Sequence, residues 1–374
     1  MTINHNDISA DVLTDIQTHG VKIMSPDRNV VSRKGGAGPS DHQAMQFDGR
    51  TLMIPTYTQT AWESQYTLQG NTLLKNDIET GELIPITQVG FTPKPDFYDR
   101  STSDGVPYSH IATLHSNDVL ATTVIQTCIR YENKRKACQF CSIGQSLNAG
   151  RTINRKTPEQ LAEVAKVAVE LDGVKHIVMT TGTPNNSDRG ARVMCESAEA
   201  IKQVVDVPIQ GQCEPPQDHS WFQKMKDSGI DSLGMHLEVV TSDVRKKITP
   251  GKAEISLEEY MSAFKSAVAV FGRGQVSTYL LAGLGDTKEA LLDFCDELIE
   301  IGVYPFVVPF VPIRGTPLED HPSPSSDFMD SLLKPLASKL VAAEMTSDKT
   351  KAGCVKCGAC TSLSKYEEKA ANDQ

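Results

Sequence analysis

Six of the nine cysteines in this chain fall into two short groups, and these are the residues whose type and spacing most directly imply chemistry. The first group is Cys128, Cys138 and Cys141, with nine residues and then two between the thiols. The second is Cys354, Cys357 and Cys360, spaced by two and two. Grouped thiols in a chain with no disulfide framework point to metal. Three thiolates can hold three irons of a [4Fe-4S] cluster and leave the fourth iron open. The alternative is zinc, which ordinarily takes four protein ligands at a structural site. No further Cys or His lies within ten residues of the first group. Cys195, Cys213 and Cys295 are scattered and read as small buried hydrophobes.

The elements that would position these thiols follow from periodicity. A buried strand over 119–127 leads into Cys128. Thr157, Pro158 and Gln160 then open a helix through a capping box. Further strands are expected over 174–180, 207–212, 233–240, 276–282 and 304–312, and helices over 191–204, 220–227, 256–271, 288–301 and 325–345. Ser256 with Glu259 reads as a second capping box. Strands alternating with helices predict an α/β fold of about six βα units, a parallel sheet closing partly or fully into a TIM-like (β/α) barrel. Chemistry then belongs at the C-terminal strand ends. Residues 1–110 read as an irregular, β-containing N-terminal region, with a loop at Gly35, Gly36, Gly38 and Pro39 and a β-like run over 51–55. The core spans 111–322. Residues 323–374 hold the last helix, the second cysteine loop and a polar tail over 362–374 expected to be disordered.

The first group and the strand-end motifs after it resemble the radical S-adenosylmethionine (SAM) superfamily over about residues 119–320. The usual motif there has three residues and then two between cysteines. The Cys138-Gln-Phe-Cys141 half matches, while the nine-residue first gap is longer. The overall pattern resembles the biotin synthase and lipoyl synthase branch, and more narrowly the uncharacterised radical SAM proteins associated with nitrilase gene clusters. The resemblance implies a [4Fe-4S] cluster on Cys128, Cys138 and Cys141, with SAM on the open iron. It also implies a 5′-deoxyadenosyl radical that takes hydrogen from a small metabolite, nitrogen-containing by the narrower link. Phe140 would lie beside the SAM adenine, and Thr181, Gly182 and Thr183 against its amino group. His236 and Glu238 end the fourth strand, where alternation puts both on one face, the barrel interior, and Arg245 comes shortly after. Glu238 would take the ribose hydroxyls and Arg245 the carboxylate; a structural Glu238–Arg245 pair is the alternative. Gly283 and Gly285 lie in a turn resembling the one after the fifth strand of biotin synthase-like enzymes, where Asp286 or Thr287 can also cap the next helix. Arg314 follows the sixth strand. Gln210, Gln212, Glu214 and Arg314 are candidates for substrate contact. A reducing partner such as flavodoxin or ferredoxin is implied as well.

The second group resembles a ferredoxin-type cluster loop, with Gly353 and Gly358 letting backbone wrap the sulfurs. That suggests a second, auxiliary Fe-S cluster. A zinc knuckle completed by a distant histidine is the alternative. If such a cluster were consumed, the reaction would be sulfur insertion. A reading from another class is a zinc-stabilised, non-enzymatic α/β barrel scaffold. Composition narrows the partners. A formal net charge of −10 argues against non-specific nucleic-acid binding. Residues 1–13 lack a basic and apolar leader pattern, and the most apolar stretch, 303–313, is too short to span a bilayer. A cytoplasmic protein with no membrane partner is expected.

Overall fold

The computed structural model describes residues 8–24 and 41–373. The loop read at Gly35, Gly36, Gly38 and Pro39 lies outside the described residues, as does part of the 1–13 segment. The central sheet has seven strands, β1 (Thr113–His115), β2 (Val119–Thr123), β3 (His176–Thr180), β4 (Ile209–Gln212), β5 (Ser232–Gly234), β6 (Val276–Ala282) and β7 (Val303–Pro309), each hydrogen-bonded to the next in chain order. β1 runs antiparallel to β2, and all later pairs are parallel. The end strands β1 and β7 do not pair, so the sheet is a curled half-barrel.

Helices cover the outer face because their apolar stripes match it. The helix Pro158–Asp172 opens with the expected capping box at Thr157 and Gln160, and Gly173 ends it in the left-handed region. Its Leu161, Val164, Ala165 and Ala168 are buried in one core with Ile177 and Met179 of β3. Each large side chain so buried contributes roughly 1.5–3 kcal/mol. Helices Leu257–Phe271 and Lys288–Ile301 fill the same core. At Ser256 only half of the expected box forms. The hydroxyl accepts from Glu259 N, but the Glu259 carboxylate takes Arg189 Nη1 at 2.9 Å instead of closing on the cap.

Two strands are shorter than periodicity suggests. Pairing of β2 stops at Thr123, after which Gln126 N–H turns to Asn154 O and Ile125 bridges to Arg155. β5 stops at Gly234, and the left-handed Glu238 (φ +68°) keeps the pleat from continuing to residue 240. Met235 N still donates to Ser277 O and Leu237 N to Thr278 Oγ1, and ladder pairing with β6 returns as the bridge Glu238–Leu280.

The N-terminal region packs a helix, Ala10–His19, with two small sheets around its own core of Leu13, Ile16, Met45, Phe47 and Leu73. The run over 51–55 lies in the strand Arg50–Pro55. This region docks on the C-terminal segment. Thr14 Oγ1 lies 2.7 Å from Ser362 Oγ and 3.0 Å from Tyr366 Oη, and Met53 N donates to Ala359 O at 2.7 Å. The tail is therefore not disordered as its polarity suggested. Leu363–Asn372 is a helix that buries Leu363, Tyr366 and Glu367, and Glu367 accepts from Tyr304 on β7 and from Ser347. No helix among the described residues is long and apolar enough to cross a membrane.

Candidate functional site

Cys128, Cys138 and Cys141 line one open cleft above the C-terminal ends of β2–β5, with about 760 Å³ of empty space. Cys128 caps a short helix, Ile129–Glu132, whose first N–H donates to Thr183 O at 3.0 Å. Gly182 makes this approach feasible. A Cβ there would sit 2.1 Å from Thr127 O and 3.0 Å from Cys128 Cβ, so any side chain would push the cysteine loop away. Cys138 and Cys141 close a turn through Cys141 N–H to Cys138 O at 3.0 Å. Burial pushes the Cys138 thiol well above its usual range and Cys141 up to about 11. Such thiols stay protonated unless a cation compensates them, which is the environment a metal supplies.

The opposite wall carries buried ions. Lys252 Nζ donates to Glu238 Oε1 at 2.6 Å and to His236 O at 3.0 Å. Burial works against the Lys252 charge, but Glu238 outweighs it and holds the ammonium above the ordinary lysine value. Arg130 grips Glu214 bidentately, Nε to Oε1 at 2.7 Å and Nη2 to Oε2 at 2.7 Å, and Thr183 Oγ1 donates to Oε1 at 2.9 Å. Burial opposes ionisation of Glu214; the Arg130 bonds and the Lys252 charge overcome it and hold the carboxyl below its ordinary value. Two buried atoms are left without a partner, Glu238 Oε2 and His236 Nε2. Burial, with Lys252 nearby, drives His236 down to about 3, so its ring is neutral. Orphaned polar atoms of this kind mark a place for a ligand.

Of the residues anticipated, Phe140, Thr181, Gly182, Thr183, His236 and Glu238 line the cleft with the three cysteines. Alternation along a strand was the wrong reason for His236 and Glu238, because β5 has ended and the left-handed Glu238 backbone turns the carboxylate inward. Arg245, Gly283, Gly285 and Arg314 do not line it. Arg245 Nη2 donates to Lys252 O and Ile255 O, and the Glu238 carboxylate pairs with Lys252 instead of Arg245. Gly283 and Gly285 shape a left-handed turn whose Asp286 accepts from Val240 N and Thr241 N, while Thr287 caps the next helix. Leu284 of that turn joins Val239, Ile248 and Phe310 behind Phe140. Arg314 is exposed. Sequence reasoning missed Arg130, in the short helix after Cys128, and Lys252, at the start of the 3-10 turn Lys252–Glu254. Cys213 is buried beside the cleft, and Cys195 and Cys295 are core residues, as expected of small hydrophobes.

The profile described as Radical SAM superfamily matches residues 133–298. The chain carries a radical SAM domain. The matched stretch contains Cys138 and Cys141 and begins after Cys128. The chain is 26% identical over 246 residues to bacteriochlorophyllide c C-7(1)-hydroxylase of Chlorobaculum limnaeum, covering 61% of each chain. It is 30% identical over 174 residues to lipoyl synthase of Marinobacter nauticus, covering 45% of this chain and 47% of that one. The chain thus spans about half to three fifths of these curated relatives. The solved structure of methylornithine synthase aligns with TM-score 0.46 and 18% identity, over 67% of this chain and 71% of that one.

A radical SAM domain implies a [4Fe-4S] cluster and SAM. The residues fit both. Three thiols face one cleft, and its other wall offers an unpartnered carboxylate oxygen and an ammonium to a zwitterionic ligand. No group of three His, Cys, Asp or Glu side chains among the described residues is arranged to hold a metal ion. A cubane cluster, with a separate iron under each sulfur, needs its ligands set wider than one ion does.

Proposed function

We propose that this chain is a radical SAM enzyme acting on a small metabolite, with Cys128, Cys138 and Cys141 as ligands of its [4Fe-4S] cluster. The observation that carries the reading is the convergence of three thiols with Glu238 Oε2 and His236 Nε2 on one cleft inside the radical SAM domain. When bound and reduced, by a donor such as flavodoxin or ferredoxin, the cluster supplies the electron that splits the SAM S–C5′ bond and yields a 5′-deoxyadenosyl radical.

The protein's own residues bind and orient. Glu238 Oε2 accepts from a ribose hydroxyl. Lys252, held charged by Glu238, takes the place expected for Arg245 beside the carboxylate. Carbonyls of Thr181–Thr183 face the ammonium, and Phe140, backed by Phe310 and Leu284, presents an apolar face to the adenine. The Arg130–Glu214 pair positions the Cys128 helix against Thr183.

The test is anaerobic reconstitution with iron and sulfide, followed by measurement of 5′-deoxyadenosine formed from SAM and dithionite. The unaltered chain should form it, and Cys128→Ala, Cys138→Ala and Cys141→Ala should each fall to background. Undiminished cleavage in Cys128→Ala would remove that residue from the ligand set.

A further inference from the structure

The second cysteine group has no part in the cleft, yet it is built into the same half-barrel. Gly353 lies against Gln210 of β4 so closely that a Cβ would sit 2.1 Å from the Gln210 Cδ. Gln210 Oε1 accepts from Cys354 N at 3.1 Å, and Gln212 Nε2 donates to Cys354 Sγ at 3.0 Å. From the other side the N-terminal region closes over the loop, with Met53 N and Gln17 Nε2 both donating to Ala359 O, at 2.7 and 3.1 Å. The loop is pinned between the floor of the half-barrel and the N-terminal sheet.

Two buried histidines stand beside it. His176 Nδ1 accepts from Gly353 N at 3.2 Å, which commits it to the backbone. His115, at the end of the edge strand β1, brings Nε2 to 3.8 Å from Cys360 Sγ. We propose that Cys354, Cys357, Cys360 and His115 are the four protein ligands of a second iron–sulfur centre enclosed in the floor of the half-barrel. The inference deepens the reading of the chain as an iron–sulfur enzyme and rests on it. Three thiolates with one neutral imidazole carry one negative charge fewer than four thiolates. That suits a pocket whose nearest groups are neutral amides rather than cations. Gln212 supplies an N–H to Cys354 sulfur, the outer support such ligands require. Four protein ligands leave no iron open to substrate, so this centre differs in kind from the first.

The experiment uses the full chain carrying Cys128→Ala, Cys138→Ala and Cys141→Ala together, which leaves the second centre alone. After anaerobic reconstitution and reduction, pulsed EPR should show coupling to an imidazole nitrogen, and labelling histidine with ¹⁵N should change it. His115→Cys should keep the iron, lose the coupling and lower the reduction potential. His176→Gln should keep the coupling. A signal without nitrogen coupling in the parent, or coupling that survives His115→Cys, overturns the assignment. So does a triple variant that binds no iron, or binds zinc. SAM cleavage by the unaltered chain, measured separately, shows whether the proposed function has failed as well.

Discussion

The two cysteine groups sit at opposite ends of one half-barrel and are surrounded by opposite chemistry. Around the first, the wall is ionic. Lys252 with Glu238 and Arg130 with Glu214 are buried pairs facing an open cleft, and two polar atoms there lack partners. Around the second, the side chains bonded to the cysteine loop are neutral. Gln210, Gln212 and His176 spend their polar atoms on the loop itself, and a second layer, Thr14, Ser362 and Tyr366, ties the tail to the N-terminal helix. Buried ions are a costly way to stabilise a fold, and their retention beside unsatisfied atoms makes sense where a charged ligand completes them. Neutral amides bonded to the loop suit a segment that is fixed in place.

The sharpest way to break this contrast is to unpair the ionic wall. Lys252→Met leaves the Glu238 carboxylate buried without its cation. About 3–5 kcal/mol of stability should be lost, read from urea denaturation, and SAM binding should weaken with it. Adding Glu238→Gln should recover much of the stability but not the binding. If the single variant is as stable as the parent, the wall is better solvated than its burial indicates.

Much of this was readable in advance, and the reasons differ by level. The strand–helix alternation, the Thr157 capping box and β6 with its following helix were legible because local periodicity and capping determine them. The cysteines and Phe140 were legible because spacing carries their chemistry. The ionic wall was not. Lys252 starts a single 3-10 turn with no sequence pattern, and it meets Glu238 where that residue takes a left-handed backbone that no alternation rule foresees. Arg245 had the right charge and the right neighbourhood, but backbone carbonyls captured it. The tail looked disordered because its composition is polar; the partners that order it, Thr14, Tyr304 and Asp330, are far away in sequence.

A further buried cation sharpens the same comparison from the side of pH. Lys156 is almost fully buried near the first group, and its Nζ donates to Gln126 Oε1 and Ile153 O, both neutral acceptors. Burial drives its pKa down to about 7 from 10.5. Between those values the unfolded chain binds the proton and the folded chain does not, so stability rises with pH across that window; below pH 7 the penalty is constant. Lys156→Met should flatten the slope between pH 7 and 10.5. It should also raise stability at pH 7 by about 2–4 kcal/mol after the two lost hydrogen bonds are allowed for. Urea midpoints measured across that range decide it, and an unchanged slope would mean the ammonium stays solvated.

The smallest of the three effects tests the neutral end. Gln210→Leu keeps volume in the floor but removes the acceptor for Cys354 N–H and for Gln212 Nε2. Two buried donors are then left unmet, at roughly 1–3 kcal/mol. No charge is uncovered, so the loss should be smaller than for Lys252→Met and independent of pH between 6 and 9 by rough expectation. The loosened loop should release iron from the second group faster under chelator, while SAM cleavage at the first group stays within about twofold. Equal loss at both groups would mean that Gln212, which lines the cleft and also holds Cys354, couples the two ends, and the separation argued from their surroundings would not hold.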